Sequence, residues 1–319
     1  EAESSLLWLA GHPIPALNPA EKLRRFEQAW TVYGRSALML SGGATWGFHH
    51  LGVVKALFEA GCLPHILSGA STGAMIAGGI CSRTDAEIAD LFANPGQMRL
   101  DGLLPVGPRQ ALQTGAWLDP EQLHAVLRHN IGDWTLGEAF ARSGRALNIS
   151  VSPTRTRQKP RVLSHLTAPE VLVANAALAS SALPGLFPPV VLEARGPDGI
   201  YPYVPRERWV DGSLYGDLPK LRMARLHSVN HFIVSQANPH VAALGRLSSG
   251  GGVTRSVAGA AVSAAKTQGA AAAALARHAI PLVYAMMSQD YGGDINIHPR
   301  FRPTLLTNLM ANPTPETLA

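Results

Sequence analysis

The pattern of apolar and polar positions predicts a chain in which short buried strands alternate with helices. Four apolar runs have the length of strands: residues 36–40, 62–68, 145–151 and 231–236. Between the first two runs, Leu51, Val54 and Phe58 recur on one face of a helix predicted over residues 47–60. Strand, helix and strand in this order predict a βαβ unit with parallel strands and a right-handed crossover.

Capping signals and small-residue runs predict the other helices. Asn18 followed by Pro19 is typical of a helix start, and Glu21 is placed to reach back to the cap of a helix ending near Tyr33. Further helices are expected over residues 72–81, 85–92, 120–129, 136–141 and 174–183. Less regular segments are an arm over residues 1–17, an Ala-rich loop and helices over 244–287, and an extension over 290–319.

Composition favours a folded α/β protein that does not bind nucleic acid. Of the 319 residues, 46% are hydrophobic and only 15% are charged, which excludes a disordered chain. The net charge is +5, but the basic residues are scattered instead of forming the basic face that nucleic-acid binding needs. Cys62 and Cys81 lie in apolar stretches, so we expect packed thiols in a reducing compartment.

Two long uncharged runs, residues 60–82 and 171–192, resemble membrane spans only in length. Both contain proline and polar residues, so we interpret them as buried sheet segments and loops. The sequence therefore favours a cytoplasmic location, with peripheral attachment to membranes as the other option.

The first candidate for chemistry is the stretch Gly69-Ala70-Ser71-Thr72-Gly73, which follows a predicted strand and opens a predicted helix. A Gly-x-Ser-x-Gly pattern at such a turn exposes the serine at the tip, and its glycines let the chain reverse sharply. Ser71 is therefore the candidate nucleophile, and Gly69 and Gly73 form its elbow.

A glycine-rich loop lies one βα unit earlier, at residues 41–47. Gly42 and Gly43 follow the first strand, and a helix begins behind them, which is the arrangement of an anion cradle. The loop lacks the Gly-Lys-Ser/Thr ending of a phosphate loop, so nucleotide binding is the weaker alternative. Since the loop and Ser71 both follow parallel strands, we expect them to meet at one edge of the sheet.

A serine nucleophile needs a base, and the sequence leaves two kinds open. Asp211, in Trp-Val-Asp-Gly-Ser, ends a strand-like run and precedes a glycine that can turn its carboxylate into a cleft. Alternatively, a histidine downstream of Asp211 completes a triad. The histidines available for that are His227, His231, His240, His278 and His298.

In its ordered motifs the chain resembles the patatin-like phospholipases. The motifs are the glycine loop, the elbow around Ser71, the run over residues 179–189 and the Asp211-Gly212 step. The resemblance implies an α/β fold, a three-layer patatin-like sandwich with a mainly parallel central sheet plus N- and C-terminal helical extensions. It also implies a dyad in which Ser71 is the nucleophile and Asp211 the base, without a catalytic histidine. The implied oxyanion hole is the backbone N–H groups of Gly42, Gly43 and Ala44.

Three departures from the common family pattern bear on the substrate. Ala44 stands where a third glycine is usual, and an alanine can still donate its N–H where φ is negative. Trp46 replaces the usual Arg or Lys, and we expect it in the pocket wall. Ser213 replaces the second glycine after the aspartate. Together with Asp217-Leu218-Pro219, these residues resemble the branch that holds the triacylglycerol lipases of yeast lipid droplets and oil seeds.

The resemblance implies a lipase that cleaves neutral glycerolipid esters through an acyl-serine intermediate at a membrane or lipid-droplet surface. It requires neither a cofactor nor a metal, and the sequence holds no HExxH spacing. A phospholipase A or lysophospholipase of the same mechanism and a non-catalytic lipid-binding protein are the alternatives. We expect an N-terminal arm and helix over residues 1–34, a catalytic domain over 35–245 and a C-terminal helical extension over 246–319.

Overall fold

The computed structural model describes residues 2–155, 158–238, 241, 289–299 and 311–314. A seven-stranded sheet is the centre of this part of the chain, and β1, β2, β3, β8 and β9 run parallel in it. The order is β4-β3-β2-β1-β8-β9, and β7 also pairs with β3. The strands are β1 (Arg35–Leu40), β2 (Ile66–Gly69), β3 (Ala146–Pro153), β4 (Arg161–Ser164), β5 (Leu192–Gly196), β6 (Gly199–Tyr203), β7 (Trp209–Asp211), β8 (Val229–Ser235) and β9 (Ile295–Ile297).

The predicted βαβ unit is confirmed, because β1 and β2 are parallel neighbours with Leu40 opposite Gly69. The two antiparallel strands, β4 and β7, both pair with β3. The α/β class and the mainly parallel sheet are therefore as expected, and the carboxyl ends of β1 and β2 lie side by side.

Helices cover both faces of the sheet, because the buried side chains of β1 point alternately to one face and the other. Leu38 and Leu40 belong to the larger core with α4, α7 and α9, whereas Ala37 and Met39 pack on the other face with Met223 of α11. The helices are α1 (Ala2–Gly11), α2 (Pro19–Tyr33), α3 (His49–Glu59), α4 (Thr72–Cys81), α5 (Asp85–Ala93), α6 (Pro108–Thr114), α7 (Pro120–Ile131), α8 (Leu136–Ser143), α9 (Val173–Ser180), α10 (Ser213–Gly216) and α11 (Lys220–His227).

Local signals explain where most of these helices start. The N–H of Glu21 donates to the Asn18 carboxamide at 2.8 Å, so the predicted cap is present. The Glu21 carboxylate does not reach back to the cap as expected, because it binds Arg24 and Arg25 one turn further along. Asp119 caps α7 by accepting the N–H of Glu121.

Several expectations need correction. The arm over residues 1–17 contains a helix, α1, and residues 192–203 form the β5–β6 hairpin, which the sequence analysis missed. Residues 295–297 of the supposed C-terminal extension form β9, which pairs with β8. Cys81 is buried as expected, but Cys62 is exposed, and both thiols are free. The helices predicted over residues 244–287 lie outside the described residues.

Among the helices that the structure describes, each one is too short or too polar to cross a membrane.

Candidate active site

Ser71 lies at a sharp turn between β2 and α4. Its backbone has φ 53° and ψ −125°, a conformation that costs a residue with a side chain about 1–3 kcal/mol. A Cβ on Gly73 would lie 2.2 Å from the carbonyl oxygen of Leu40, and one on Gly69 would lie 2.3 Å from the carbonyl oxygen of Gly73. The two elbow glycines therefore allow the close contact that fixes the exposed serine.

Asp211 is brought to Ser71 by the antiparallel pairing of β7 with β3, in which Asp211 lies opposite Val151. Only 2% of Asp211 is exposed, and the Ser71 side chain lies beside its carboxylate. One carboxylate oxygen accepts the N–H of Ser213 at 2.8 Å and its hydroxyl at 2.7 Å. Burial raises the pKa of Asp211 to about 6, and the hydrogen bonds from Ser213, followed by the neighbouring Ser71 hydroxyl, oppose that rise.

Ser180, at the end of α9, joins the elbow to the Asp211 turn. Its hydroxyl accepts the N–H of Ser71 at 3.0 Å and donates to the carbonyl oxygen of Ser150 at 2.7 Å. The Ser180 carbonyl oxygen accepts the N–H of Gly212 at 3.1 Å. Ser180 had no predicted role, although it lies inside the run over residues 179–189 that carried part of the resemblance.

The glycine loop after β1 lies beside the elbow, and the Thr72 hydroxyl donates to the carbonyl oxygen of Ala44 at 2.7 Å. The structure corrects the predicted role of Gly42, whose N–H donates to the Asp217 carboxylate at 2.7 Å instead of remaining free for a substrate oxygen. Within the described part of the chain, the N–H groups of Gly43 and Ala44 have no acceptor. The N–H groups of Gly43 and Ala44 therefore remain the predicted donors of an oxyanion hole.

Ala44 takes the left-handed conformation at φ 47°, so the condition of a negative φ, under which the sequence kept its N–H as a donor, is not met, and its place in the oxyanion hole stays a proposal. The loop turns there into a short 3-10 helix, Ala44–Phe48, whose first turn closes when Trp46 donates to the carbonyl oxygen of Gly43. A side chain in this region costs about 1–2 kcal/mol, which explains why glycine is usual at this position.

His50 supports the glycine loop from behind. Its two ring nitrogens contact the carbonyl oxygen of Ser41 at 2.9 Å and the Ser235 hydroxyl at 2.7 Å. Complete burial lowers the pKa of His50 to about 4, so the ring is neutral at neutral pH. The neutral ring links the end of β1 to the end of β8 through these two hydrogen bonds.

A cavity of about 380 Å³ opens onto Ser71 and Asp211. Its wall is mostly apolar and follows one face of α4, from Thr72 through Ile76 to Ile80. Gly43, Ala44 and Thr45 contribute the loop side of the wall. Trp46 is buried but is not among the lining residues, so its expected place in the pocket wall is wrong.

The histidine alternatives receive no support from the described residues. His227 contacts the Asn148 carboxamide at 2.9 Å and His231 contacts the Ser36 hydroxyl at 3.2 Å, both away from the cavity. His298 does not line the cavity, and His240 and His278 lie outside the described residues. In that same part of the chain, no cluster of His, Cys, Asp and Glu side chains is arranged to hold a metal ion.

Comparison with known proteins gives the family. A family model described as patatin-like phospholipase matches residues 38–221, which include the glycine loop, the elbow and Asp211. Triacylglycerol lipase SDP1L of Arabidopsis thaliana is 37% identical over 76% of this chain and 32% of its own length. Triacylglycerol lipase 5 of Saccharomyces cerevisiae is 34% identical over 65% of this chain and 30% of its own length.

Both of these curated relatives are therefore about three times as long as the part that this chain matches. The crystal structure of VipD from Legionella pneumophila is similar over 63% of this chain and 49% of that one, with 17% identity and a TM-score of 0.38. Because the family model covers more than half of the chain and includes the glycine loop, the elbow and Asp211, the chain belongs to the patatin-like phospholipase family.

Proposed function

We propose that this chain is a serine acylhydrolase that cleaves carboxyl esters of lipids through an acyl-serine intermediate. The observation that carries the proposal is the placement of Ser71, strained at the tip of the elbow, beside the buried carboxylate of Asp211 in one cavity. A nucleophile and a base side by side at the mouth of an apolar cavity suit acyl transfer to a water-insoluble ester.

In the proposed mechanism, the Ser71 oxygen bonds to the ester carbonyl carbon while its proton passes to Asp211. The N–H groups of Gly43 and Ala44 hold the resulting oxyanion. The carbon–oxygen bond to the alcohol then breaks, and Asp211 returns the proton to the leaving oxygen. In the second half, Asp211 takes a proton from a water molecule while the water oxygen bonds to the acyl carbon. The bond from that carbon to the Ser71 oxygen then breaks, Asp211 gives the proton to the Ser71 oxygen, and the fatty acid leaves.

Burial of Asp211 suits the role of base. A carboxylate with a pKa near 6 holds a proton more tightly than an exposed one with a pKa near 4, and it is still ionised at neutral pH. The raised pKa follows from the burial of Asp211 beside Ser213 and the apolar cavity wall.

The cavity fits one acyl chain. The ten residues of α4 span about 15 Å, and an extended alkyl chain advances roughly 1.25 Å per carbon, given bonds of about 1.5 Å and angles near 111°. A chain of about 12 carbons therefore reaches from Ser71 to the end of α4. Arg83 lines that far end, which is too distant from Ser71 for a phosphate attached near the cleaved ester.

We propose neutral glycerolipids, triacylglycerol among them, as the substrate class. The proposal is supported by Trp46 in place of the usual cation and by the names of the two relatives, both triacylglycerol lipases. A phospholipase A of the same mechanism is the alternative. Fatty-acid release from triacylglycerol emulsions and from phosphatidylcholine vesicles separates the two.

Ser71→Ala and Asp211→Asn should each lower fatty-acid release from the preferred lipid by at least about 10³-fold, because each removes one half of the proton-transfer pair. Circular dichroism should show both variants folded. His231→Gln, His240→Ala and His298→Ala should retain activity. An active Asp211→Asn combined with an inactive histidine variant would replace the dyad with a triad, and an inactive parent protein would favour the lipid-binding alternative.

Gly79→Leu should shorten the acyl chain that the site accepts. Gly79 lines the cavity two turns beyond Ser71, and a Cβ there meets only ordinary contacts, 3.5 Å from Arg83, so a leucine would extend into the cavity. We expect the ratio of C4 to C16 ester hydrolysis to rise about 10-fold or more. Gly52→Leu, on the exposed side of α3, is the control, and an unchanged ratio in Gly79→Leu would mean that the chain lies elsewhere.

We also propose that the protein takes its substrate from a lipid surface, through an apolar rim formed by Leu104, Leu112 and Trp117. These side chains are 49%, 85% and 58% exposed. Leu104 directly follows Leu103, which lines the cavity. Trp117 is tied to the cavity wall by its N–H, which donates to the carbonyl oxygen of Gly185. Gly185 lies between Leu183 and Leu186 in the sequence, and both of these leucines line the cavity. The rim therefore extends the apolar cavity wall onto the protein surface.

The double variant Leu112→Ser and Trp117→Ser should bind phosphatidylcholine vesicles and hydrolyse emulsified triacylglycerol at least about 10-fold less well, since each side chain gains roughly 1.5–3 kcal/mol on burial in lipid. Hydrolysis of soluble p-nitrophenyl acetate should not change. Leu221→Ser, an equally exposed position on α11, is the control. Equal losses on soluble and emulsified esters would argue against a docking role.

A further inference from the structure

A second carboxylate, Asp217, is buried behind the glycine loop and has no part in the mechanism proposed above. Only 1% of this residue is exposed, and it follows directly after α10. One oxygen of its carboxylate accepts the N–H of Gly42 at 2.7 Å, and the other accepts the Asn238 side-chain amide at 2.6 Å. Asp217 therefore joins the end of β1 to the end of β8.

Of the two partners of Asp217, Gly42 belongs to the glycine loop itself and Asn238 lies against that loop. Asn238 lines the cavity together with Gly43, which follows Gly42 directly. Gly42 itself fits tightly, because a Cβ there would lie 2.9 Å from the Cβ of Ser213 and 3.3 Å from the carboxamide oxygen of Asn238. Loss of the Asp217 carboxylate would free the loop on the side opposite the substrate.

The backbone of Asp217 is also fixed in place. Its N–H donates to the Gln289 carboxamide oxygen at 2.8 Å, and the Gln289 amide nitrogen donates to the carbonyl oxygens of Ser213 at 2.9 Å and Leu214 at 3.1 Å. Ser213 is the residue that donates twice to Asp211. Residues 211–217 thus form one short segment, with the proposed base, Asp211, at one end and Asp217, which holds the glycine loop, at the other.

The charge on Asp217 is coupled to that on Asp211. Burial raises the pKa of Asp217 to about 7, the hydrogen bonds from Gly42 and Asn238 oppose the rise, and the negative charge of Asp211 adds to it. Within the part of the chain that the structure describes, Tyr291 is a further titratable group near Asp217, and its pKa is raised by burial and by the Asp217 charge. Lys220 is bound to Asp290.

We propose that Asp217 is a positioning residue, which aligns the N–H groups of Gly43 and Ala44 for the oxyanion and transmits its charge to the base, Asp211. The assignment rests on the proposed function of the site. Asp217 does not line the cavity, so it acts through Gly42 and Asn238 and not on the substrate. Two carboxylates that interact in this way lose their protons in two coupled steps.

The test compares Asp217→Ala and Asp217→Asn with the parent protein on p-nitrophenyl butyrate. The alanine variant, which lacks both acceptors, should lose about 10- to 100-fold in kcat with KM changed less than about threefold, since the oxyanion is bound only in the transition state. The asparagine variant keeps an acceptor for Gly42, and Asn238 can turn its own oxygen toward the new amide. It should recover most of the kcat.

The pH profile separates positioning from a merely structural role. In the parent protein the acid limb of kcat should reflect two coupled ionisations, near the pKa values of about 6 and about 7. In Asp217→Asn one ionisation disappears, and the remaining limb should lie at a lower pH than the parent limb, because a neighbouring negative charge no longer opposes the ionisation of Asp211. Asp290→Asn removes an exposed carboxylate nearby and should leave the profile unchanged.

An Asp217→Asn profile that matches the parent profile would overturn the proposal, whether or not Asp217→Ala folds. Parent-like kcat in a folded Asp217→Ala would overturn it as well. Ser71→Ala and Asp211→Asn are measured beside these variants. If they remain active, the proposed mechanism itself fails; if they are inactive while the Asp217 variants behave like the parent, only the role of Asp217 fails.

Discussion

The site depends on one close contact, the approach of the Leu40 carbonyl oxygen to the Cα of Gly73. A single Cβ at Gly73 would lie 2.2 Å from that oxygen, so no other residue fits without moving β1 away from α4. Since β1 continues into the glycine loop and α4 begins at the elbow, this contact sets the spacing between the candidate oxyanion donors and Ser71. Gly47 makes a second close approach of this kind, because a Cβ there would lie 2.5 Å from the Cβ of Thr72.

Strain and buried charge are concentrated where these segments meet. Ala44 and Ser71 are two of the four residues with side chains that adopt positive φ in the described part of the chain. Asp211 and Asp217 are both buried with raised pKa values, and Coulomb repulsion acts between them. Each feature costs stability, and the surrounding sheet and helices make up for that cost. Such a site has less freedom to rearrange than a surface loop, which suits a role that requires fixed donors and a fixed base.

The elements that local rules govern could be predicted from the sequence. Apolar runs predicted β1, β2, β3 and β8, and cap residues predicted the starts of α2 and α7. The small residues around Ser71 predicted the elbow. The family resemblance linked Asp211 to Ser71, and both residues line the same cavity. In each of these cases the signal lies within a few residues or in a motif of fixed order.

The remaining features depend on contacts between distant segments, which no local pattern encodes. Gly42 and Asp217 are 175 positions apart, so the loss of Gly42 as a free donor could not be read from the glycine loop. The φ of Ala44 and the burial of Trp46 follow from how the loop turns against α4 and the end of β8. β9 escaped prediction because three residues flanked by prolines and glycines carry almost no strand signal until β8 provides a partner.

The central claim is that Ser71 is the nucleophile of an acyl-transfer site. The most direct measurement is intact-mass analysis with peptide mapping after reaction with an alkyl fluorophosphonate, in which a serine oxygen bonds to phosphorus and fluoride leaves. We expect one adduct per chain, on Ser71, which forms more slowly in Asp211→Asn and is absent in Ser71→Ala. No adduct, or an adduct on another serine such as Ser213, would contradict the claim.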